Sequence, residues 1–256
     1  MITNPYILGG VSVRCLRTEE IDTTIANIPC PSASSVIDVD GNVYNTVQIG
    51  QQCWMKENLR TTHYADGTAI ALGNSYSVST VTAYRYHPDG NASNVATYGY
   101  LYNLKAVMRN DSSSSANPSG VQGICPTGWH VPSCDEWTQL SNYVMSKSEF
   151  TCDHINHIRK YCKALASTSG WNSSSNICSV GYDQISNNGT GFSALPAGNK
   201  VENNIGNLGS QAIFWSTSLN SGFTTTTAIE LSASSSTIYC DSLPGSCGNS
   251  VRCLKD

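Results

Sequence analysis

Residues 125–137, Cys-Pro-Thr-Gly-Trp-His-Val-Pro-Ser-Cys-Asp-Glu-Trp, constrain the fold more than any other stretch of the chain. Pro126 and Gly128 keep the backbone irregular up to Trp129, and Pro132 pushes Val131 toward extended conformations. Ser133 stands three residues before Glu136, the spacing of a capping box. Trp137, Leu140 and Val144 follow at helical period and define one apolar face. The spacing predicts a helix from Ser133 to about residue 146. One segment thus holds a cysteine anchor, two tryptophans and a capped helix. It is expected to fasten together two halves of a single loop-rich domain.

The rest of such a domain has to be assembled from short pieces. Only 12% of the 256 residues are charged, against roughly 25% in an ordinary globular chain, and Ser, Thr, Asn and Gly take the place of the missing charges. The net charge is −4 and no basic stripe is present, which argues against a nucleic-acid partner. No run approaches the ~18 apolar residues of a membrane span, so no membrane insertion is expected. The eleven cysteines show no Cys-x-x-Cys spacing. They read as structural disulfides of an oxidising compartment rather than as a zinc ribbon. An odd count leaves at least one thiol unpaired or bonded outside the chain. The opening Met-Ile-Thr-Asn-Pro carries neither a basic nor an apolar signal region. Export is therefore expected to depend either on a signal upstream or on another route, such as assembly into a virion.

An internal echo bears on domain organisation. Residues 10–17 read Gly-Val-Ser-Val-Arg-Cys-Leu-Arg and residues 248–255 read Gly-Asn-Ser-Val-Arg-Cys-Leu-Lys. Two similar β-strands are one explanation. Another is that residues 1–17 are the last strand of a preceding repeat, and a third is a strand exchanged with a neighbouring subunit. Residues 18–35 read as a linker and residues 36–256 as the domain. Within it, 36–49 reads as a hairpin turning at Asp40-Gly41. Asp38, Asp40 and Asn42 mimic the start of a calcium loop but lack its later glutamate. Residues 54–59 give a short apolar edge, 98–104 an aromatic segment that packs on the core, and 111–123 a surface loop. A second helix is expected over 153–166, its inner face formed by Ile155, Ile158, Cys162 and Leu165. Short strands follow around 212–217, 228–231, 237–239 and 250–254.

Six blocks, in order, resemble the Fibrobacter succinogenes major paralogous domain family. They are Asp-Val-Asp-Gly-Asn-Val-Tyr with Ile-Gly-Gln-Gln-Cys-Trp-Met-Lys-Glu-Asn-Leu, Tyr-Gly-Tyr-Leu-Tyr-Asn, the 125–137 block, Thr-Gly-Phe-Ser-Ala-Leu-Pro-Ala-Gly, Phe-Trp-Ser-Thr-Ser, and Ser-Val-Arg-Cys-Leu-Lys-Asp. The resemblance spans residues 36–256. It implies an α+β, C-type lectin-like fold, with two helices packed on short antiparallel sheets, loop-rich and disulfide-stabilised. It also implies an extracellular, cell-surface or virion-surface protein, of the kind found as pilus-tip adhesins or phage tail-fibre tips. Some relatives resemble the variable proteins of diversity-generating retroelements, whose diversified positions precede the final Ser-Val-Arg-Cys. Here that stretch is 224–249.

The family pattern implies a bridge between Cys125 and Cys253. Further pairs that suit the expected elements are Cys152 with Cys178, Cys134 with Cys162, Cys240 with Cys247, and Cys15 with Cys30, which leaves Cys53 over. His154 and His157 have a spacing that can share a metal, but no third ligand is spaced to complete a site, so neither a metal nor another cofactor is expected. No nucleophile elbow or phosphate loop occurs, and the calcium-dependent sugar signatures of lectins are absent. The expected function is a non-enzymatic adhesin or receptor-binding module that shows its C-terminal loops to a cell-surface glycan or protein. Phe223, Ser232, Ser234, Thr237, Tyr239, Asp241, Leu243 and Asn249 are the expected contact residues, and Tyr182, Phe214 and Trp215 are further aromatic candidates. Two alternatives stand beside it. One is a repeat unit of a fibre or pilus, in contact with neighbouring copies. The other is an oxidoreductase resembling formylglycine-generating enzymes, which would require two neighbouring reduced cysteines.

Overall fold

The computed structural model describes residues 28–150, 152, 161–219 and 225–256. The expectations for residues 1–17 and Cys15, for most of the linker, for His154, His157 and the start of the second helix, and for Phe223 lie outside the described residues.

The chain begins with the expected hairpin. β1 (Ser35–Ile37) and β2 (Val43–Ile49) pair with Val36 opposite Tyr44. Asp38 makes the turn: its Oδ1 accepts the Asp40 and Asn42 amides at 3.0 and 2.9 Å, and its Oδ2 accepts Asn42 Nδ2 and the Tyr44 hydroxyl. Both carboxylate oxygens are engaged by the turn itself. Gly41, at φ +81°, supplies the left-handed residue that the turn needs. β3 (Gln52–Met55) folds back on β2. It is not the apolar edge that its sequence suggests, because the C-terminal strand covers its other side and buries Trp54 and Met55 completely.

Next come β4 (Ala71–Leu72), β5 (Tyr84–Tyr86), α1 (Val95–Tyr98), β6 (Leu101–Asn103) and α2 (Leu104–Met108), whose first turn is capped by the Asn103 side chain on the Ala106 amide. After a long loop follow β7 (Trp129–His130), α3 (Cys134–Ser146) and α4 (Cys162–Leu165). α3 starts on the full capping box. Ser133 Oγ accepts the Glu136 amide, and Glu136 Oε2 accepts the Ser133 amide. Its buried face is Trp137, Leu140 and Val144, as their spacing predicts. The final third is β8 (Asn199–Val201), β9 (Asn204–Gly206), β10 (Gln211–Leu219), β11 (Thr225–Ser232), β12 (Tyr239–Pro244), β13 (Gly248–Asn249) and β14 (Leu254–Lys255).

These strands form three sheets, ordered β1-β2-β3-β14-β7, β10-β11-β12 and β4-β5-β6-β13-β8-β9. All their pairings are antiparallel except β4 with β5. The protein is thus α+β, with helices set against short sheets. The last nine residues enter two sheets in turn, since β13 lies between β6 and β8, and β14 lies between β3 and β7.

Two main core clusters lie on opposite faces of β10-β11. Phe214, Ile229 and Leu231 point into the first, with Trp54, Trp137 and Phe192. Ile213, Trp215 and Ala228 point into the second, with Trp129, Cys125 and Cys253. Trp54 lies 4.6 Å from Trp137, and Trp137 lies 5.6 Å from Phe214, ring centre to ring centre. Each such aromatic pair adds about 1 kcal/mol beyond the area it buries. Trp129 and Trp137 fill different clusters.

Three disulfides are present among the described residues. Cys125 bonds Cys253 and Cys152 bonds Cys178, as expected. The third joins Cys30 to Cys53, which overturns both the Cys15–Cys30 pairing and the reading of Cys53 as left over. Cys30 donates its amide to Thr46 Oγ1 beside the β2-β3 ladder, where Cys53 stands opposite Gln48. The end of the linker is thereby part of the domain. No bridge links Cys134 to Cys162. Cys134 sits at the α3 entry, its amide on Ser218 Oγ, while Cys162 is packed in the first core cluster as a thiol. The Cys240–Cys247 pairing also fails. Cys247 is a thiol buried in the second cluster, while Cys240 lies on β12 in register with Ile229.

Candidate functional site

The sheet β10-β11-β12 and the loop 233–238 at its end carry most of the expected contact residues. The loop is held by a neighbour. The Gly181 amide donates to Ala233 O at 2.7 Å, the Val180 amide to Ser235 O at 3.1 Å, and Asn176 Nδ2 to Ser234 O at 3.0 Å. Gly181 is obligatory for this contact, because a Cβ there would fall 2.2 Å from Asn172 O and 2.9 Å from Ala233 O. The Cys152–Cys178 bond anchors the same neighbour. Inside the loop, Ser235 Oγ accepts the Thr237 amide at 3.1 Å, and the Ser232 and Ser234 hydroxyls lie 3.4 Å apart.

Between the two loops opens a groove of about 370 Å³. It is lined by Ser232, Ser234, Ser235, Ser236 and Thr237 on one side, by Asn176, Ile177 and Ser179 on the other, and by Glu230 of β11. Glu230 Oε1 accepts Gln211 Nε2 at 2.7 Å. Ile177 is 69% exposed and forms an apolar lip. Tyr182 is 41% exposed and follows directly, its amide on Ser179 O. The lining offers hydroxyls, an amide and one carboxylate. Such a surface exchanges water for several directed hydrogen bonds to a polar ligand and contains no activated nucleophile.

The structure divides the expected contact set. Ser232, Ser234 and Thr237 meet in the groove. Tyr239 and Asp241 lie on β12, in register with Glu230 and Ala228. Leu243, opposite Thr226 at the other end of that strand, is half-buried against the second core cluster. Asn249 is fully buried in β13 between two neighbouring strands and cannot touch a ligand. Phe214 and Trp215 are core residues on opposite faces of β10. Asn176, Ile177, Ser179 and Glu230 were absent from the expected set. The signal for them was the Cys152–Cys178 pairing, which places residues 176–179 on a fixed loop.

Two other features are built differently. A cleft of about 390 Å³ lies between α2 and the β10-β11 pair, lined by Leu104, Met108, Arg109, Leu219 and Thr226 among others. At the α3 entry, His130 Nε2 meets Glu136 Oε1 at 2.8 Å, and its Nδ1 meets Asp256 Oδ1 at 2.7 Å. Burial pulls the His130 pKa down, but the hydrogen bonds and charges of Glu136 and Asp256 outweigh it and leave the pKa raised. This centre ties β7, α3 and the chain's last residue together.

No curated protein and no solved structure matches the chain. The family model described as Fibrobacter succinogenes major domain matches residues 47–255, from β2 through β14, and the chain belongs to that family.

Proposed function

We propose that the domain is an extracellular ligand-binding module of C-type lectin-like design, which presents the groove between loops 174–181 and 232–237 to a cell-surface glycan or protein. One observation carries this reading: Ser232, Ser234 and Thr237 converge with Asn176 and Ser179 on an open polar surface whose supporting loops are pinned by a disulfide and cross-loop hydrogen bonds. Pre-organised polar groups bind with less ordering cost than mobile ones. Three disulfides fit secretion into an oxidising compartment, and no described helix is long and apolar enough to cross a membrane. A place at the tip of a pilus or tail fibre, next to further copies, is compatible with the same groove. The enzyme alternative has less support. Cys162 and Cys247 are buried in separate core clusters, and burial raises both thiols above their ordinary pKa, which disfavours the thiolate needed for reaction.

The test is a glycan-array and cell-binding screen of the native protein beside Ser234→Trp, which fills the groove, and Asn176→Ala with Thr237→Ala, which strips polar contacts. Ser234→Trp should abolish binding, and the double variant should weaken it about tenfold, the equivalent of ~1.4 kcal/mol. Melting temperatures should stay within about 3 °C of native, as for exposed substitutions. Undiminished binding by Ser234→Trp would place the site elsewhere.

A further inference from the structure

The cleft between α2 and the β10-β11 pair holds about 390 Å³, within the ~300–1,000 Å³ usual for small-molecule sites. An irregular ladder shapes its floor. Trp215 stands opposite Ala228, but the next pair is Leu219 with Thr226, so residues 216–218 face Thr227 alone. Such a bulge bends the strand and re-aims its side chains. The bulge is fastened from outside. The Thr217 and Ser218 hydroxyls both donate to Ser114 O, at 2.7 and 3.0 Å, and Thr217 O accepts the Ser114 amide at 3.0 Å. On the facing wall, the Leu104 amide donates to Gly245 O at 3.0 Å, and a Cβ on Gly245 would fall 3.2 Å from Leu104 Cδ2. Both walls are thus set in place by the fold, which lowers the ordering cost of binding.

Thr226 is the unusual residue of the lining. It lies two residues from Ala228 on β11 and so shares its face, the face turned to the second core cluster. It is 1% exposed, and its hydroxyl has no hydrogen-bond partner. A hydroxyl taken out of water without a partner is a standing cost, which an oxygen acceptor held in the cleft would cancel. The surface around it is apolar, made by Leu104, Met108, Leu219 and Gly245. The charges at the rim are already engaged. Arg109 pairs with Asp66 and lies over the Tyr64 ring. Asp111 Oδ2 accepts the Gly123 amide at 3.0 Å. Lys105 donates to the neutral Asn110 Oδ1 at 3.1 Å. A charge carried inside these walls would give up its hydration for little return, whereas an uncharged apolar body gains by leaving water.

We propose that the cleft is a binding site distinct from the groove, for a small uncharged molecule with an apolar body and one oxygen atom. The oxygen accepts the hydrogen bond of the Thr226 hydroxyl, and the body packs on Leu104, Met108 and Leu219.

Titration of the full chain with benzyl alcohol, toluene and benzoate tests this, followed by the NMR amide signals of Leu104, Met108, Leu219 and Thr226. Benzyl alcohol carries the oxygen, toluene lacks it, and benzoate adds a charge. Benzyl alcohol should give saturable shifts centred on the cleft, with a Kd of about 1 mM. It should bind about fivefold more tightly than toluene, the worth of one added hydrogen bond, and more tightly than benzoate. Thr226→Val keeps the shape and removes the hydroxyl. It should melt at or above the native temperature, because no hydrogen bond is lost, and should bind toluene at least as tightly as benzyl alcohol. The proposal is overturned if benzyl alcohol gives no saturable shift up to about 30 mM, if toluene matches it on the native chain, or if the variant keeps the native preference. Tightest binding by benzoate would assign the cleft to anions drawn by Lys105 and would equally overturn it. Should Thr226→Val not fold, the three probes on the native chain decide. None of them carries a glycan or peptide, so the outcome is independent of the groove.

Discussion

At the scale of single residues, Arg252 ties the closing segment to Asn58 and to the carbonyls of Met55, Phe192 and Ser193. It is fully buried, and every acceptor on its guanidinium is neutral. Burial lowers its pKa to about 9, so it stays charged at neutral pH. Arg252→Met would leave Asn58 and three carbonyls without their donor. It should cost about 3 kcal/mol or more, read by urea denaturation; a loss under about 1 kcal/mol would mean that solvent replaces the guanidinium. His130 makes stability depend on pH. Its folded pKa lies above its ordinary value, so its contribution is complete below pH ~6.5 and is lost as pH rises through the folded value. The melting temperature should therefore decline across that rise, and His130→Gln should flatten the decline. An unchanged slope in the variant would assign the titration to another group. Asn249 marks a limit of residue-level reading. Its sequence neighbours resemble a polar loop, and only the placement of β13 between β6 and β8 buries it.

At the scale of elements, what could be read from sequence was what is local. The Ser133–Glu136 box, the apolar face of α3 and the Asp40-Gly41 turn depend on residues within one or two turns of chain, and all three are present. Ser133→Ala removes one capping bond and should cost about 1 kcal/mol, a fall of roughly 2–4 °C in melting temperature for a chain of this size. No measurable fall would mean that Glu136 holds the entry unaided. Disulfide pairing is not local. Cys125–Cys253 was legible through the family pattern, and Cys152–Cys178 from the helix between its ends. Cys30–Cys53 depends on which strand edge the linker meets, and Cys247 stays a thiol because it is buried in the second core cluster. The groove was legible by halves for the same reason. Its β11 side lies in one continuous stretch, whereas Asn176, Ile177 and Ser179 come from a loop more than 50 residues away.

At the scale of the whole molecule, the closing segment couples two sheets, both aromatic clusters and a bridge spanning 128 residues. The two loops that form the groove anchor in the first core cluster through Val180 and Ala233, while Ser234, Asn176 and Ile177 face outward. Changes among the groove serines therefore leave the core untouched, which is the arrangement a binding surface requires if its specificity is to vary while its fold persists. The central claim is that this groove is the binding face. Hydrogen–deuterium exchange of the native protein, with and without a target found by the binding screen, tests it most directly. New protection confined to residues 174–182 and 230–237 is the predicted result. Protection centred instead on the cleft lined by Leu104, Met108, Arg109, Thr217, Leu219 and Thr226, with the groove unchanged, would contradict it.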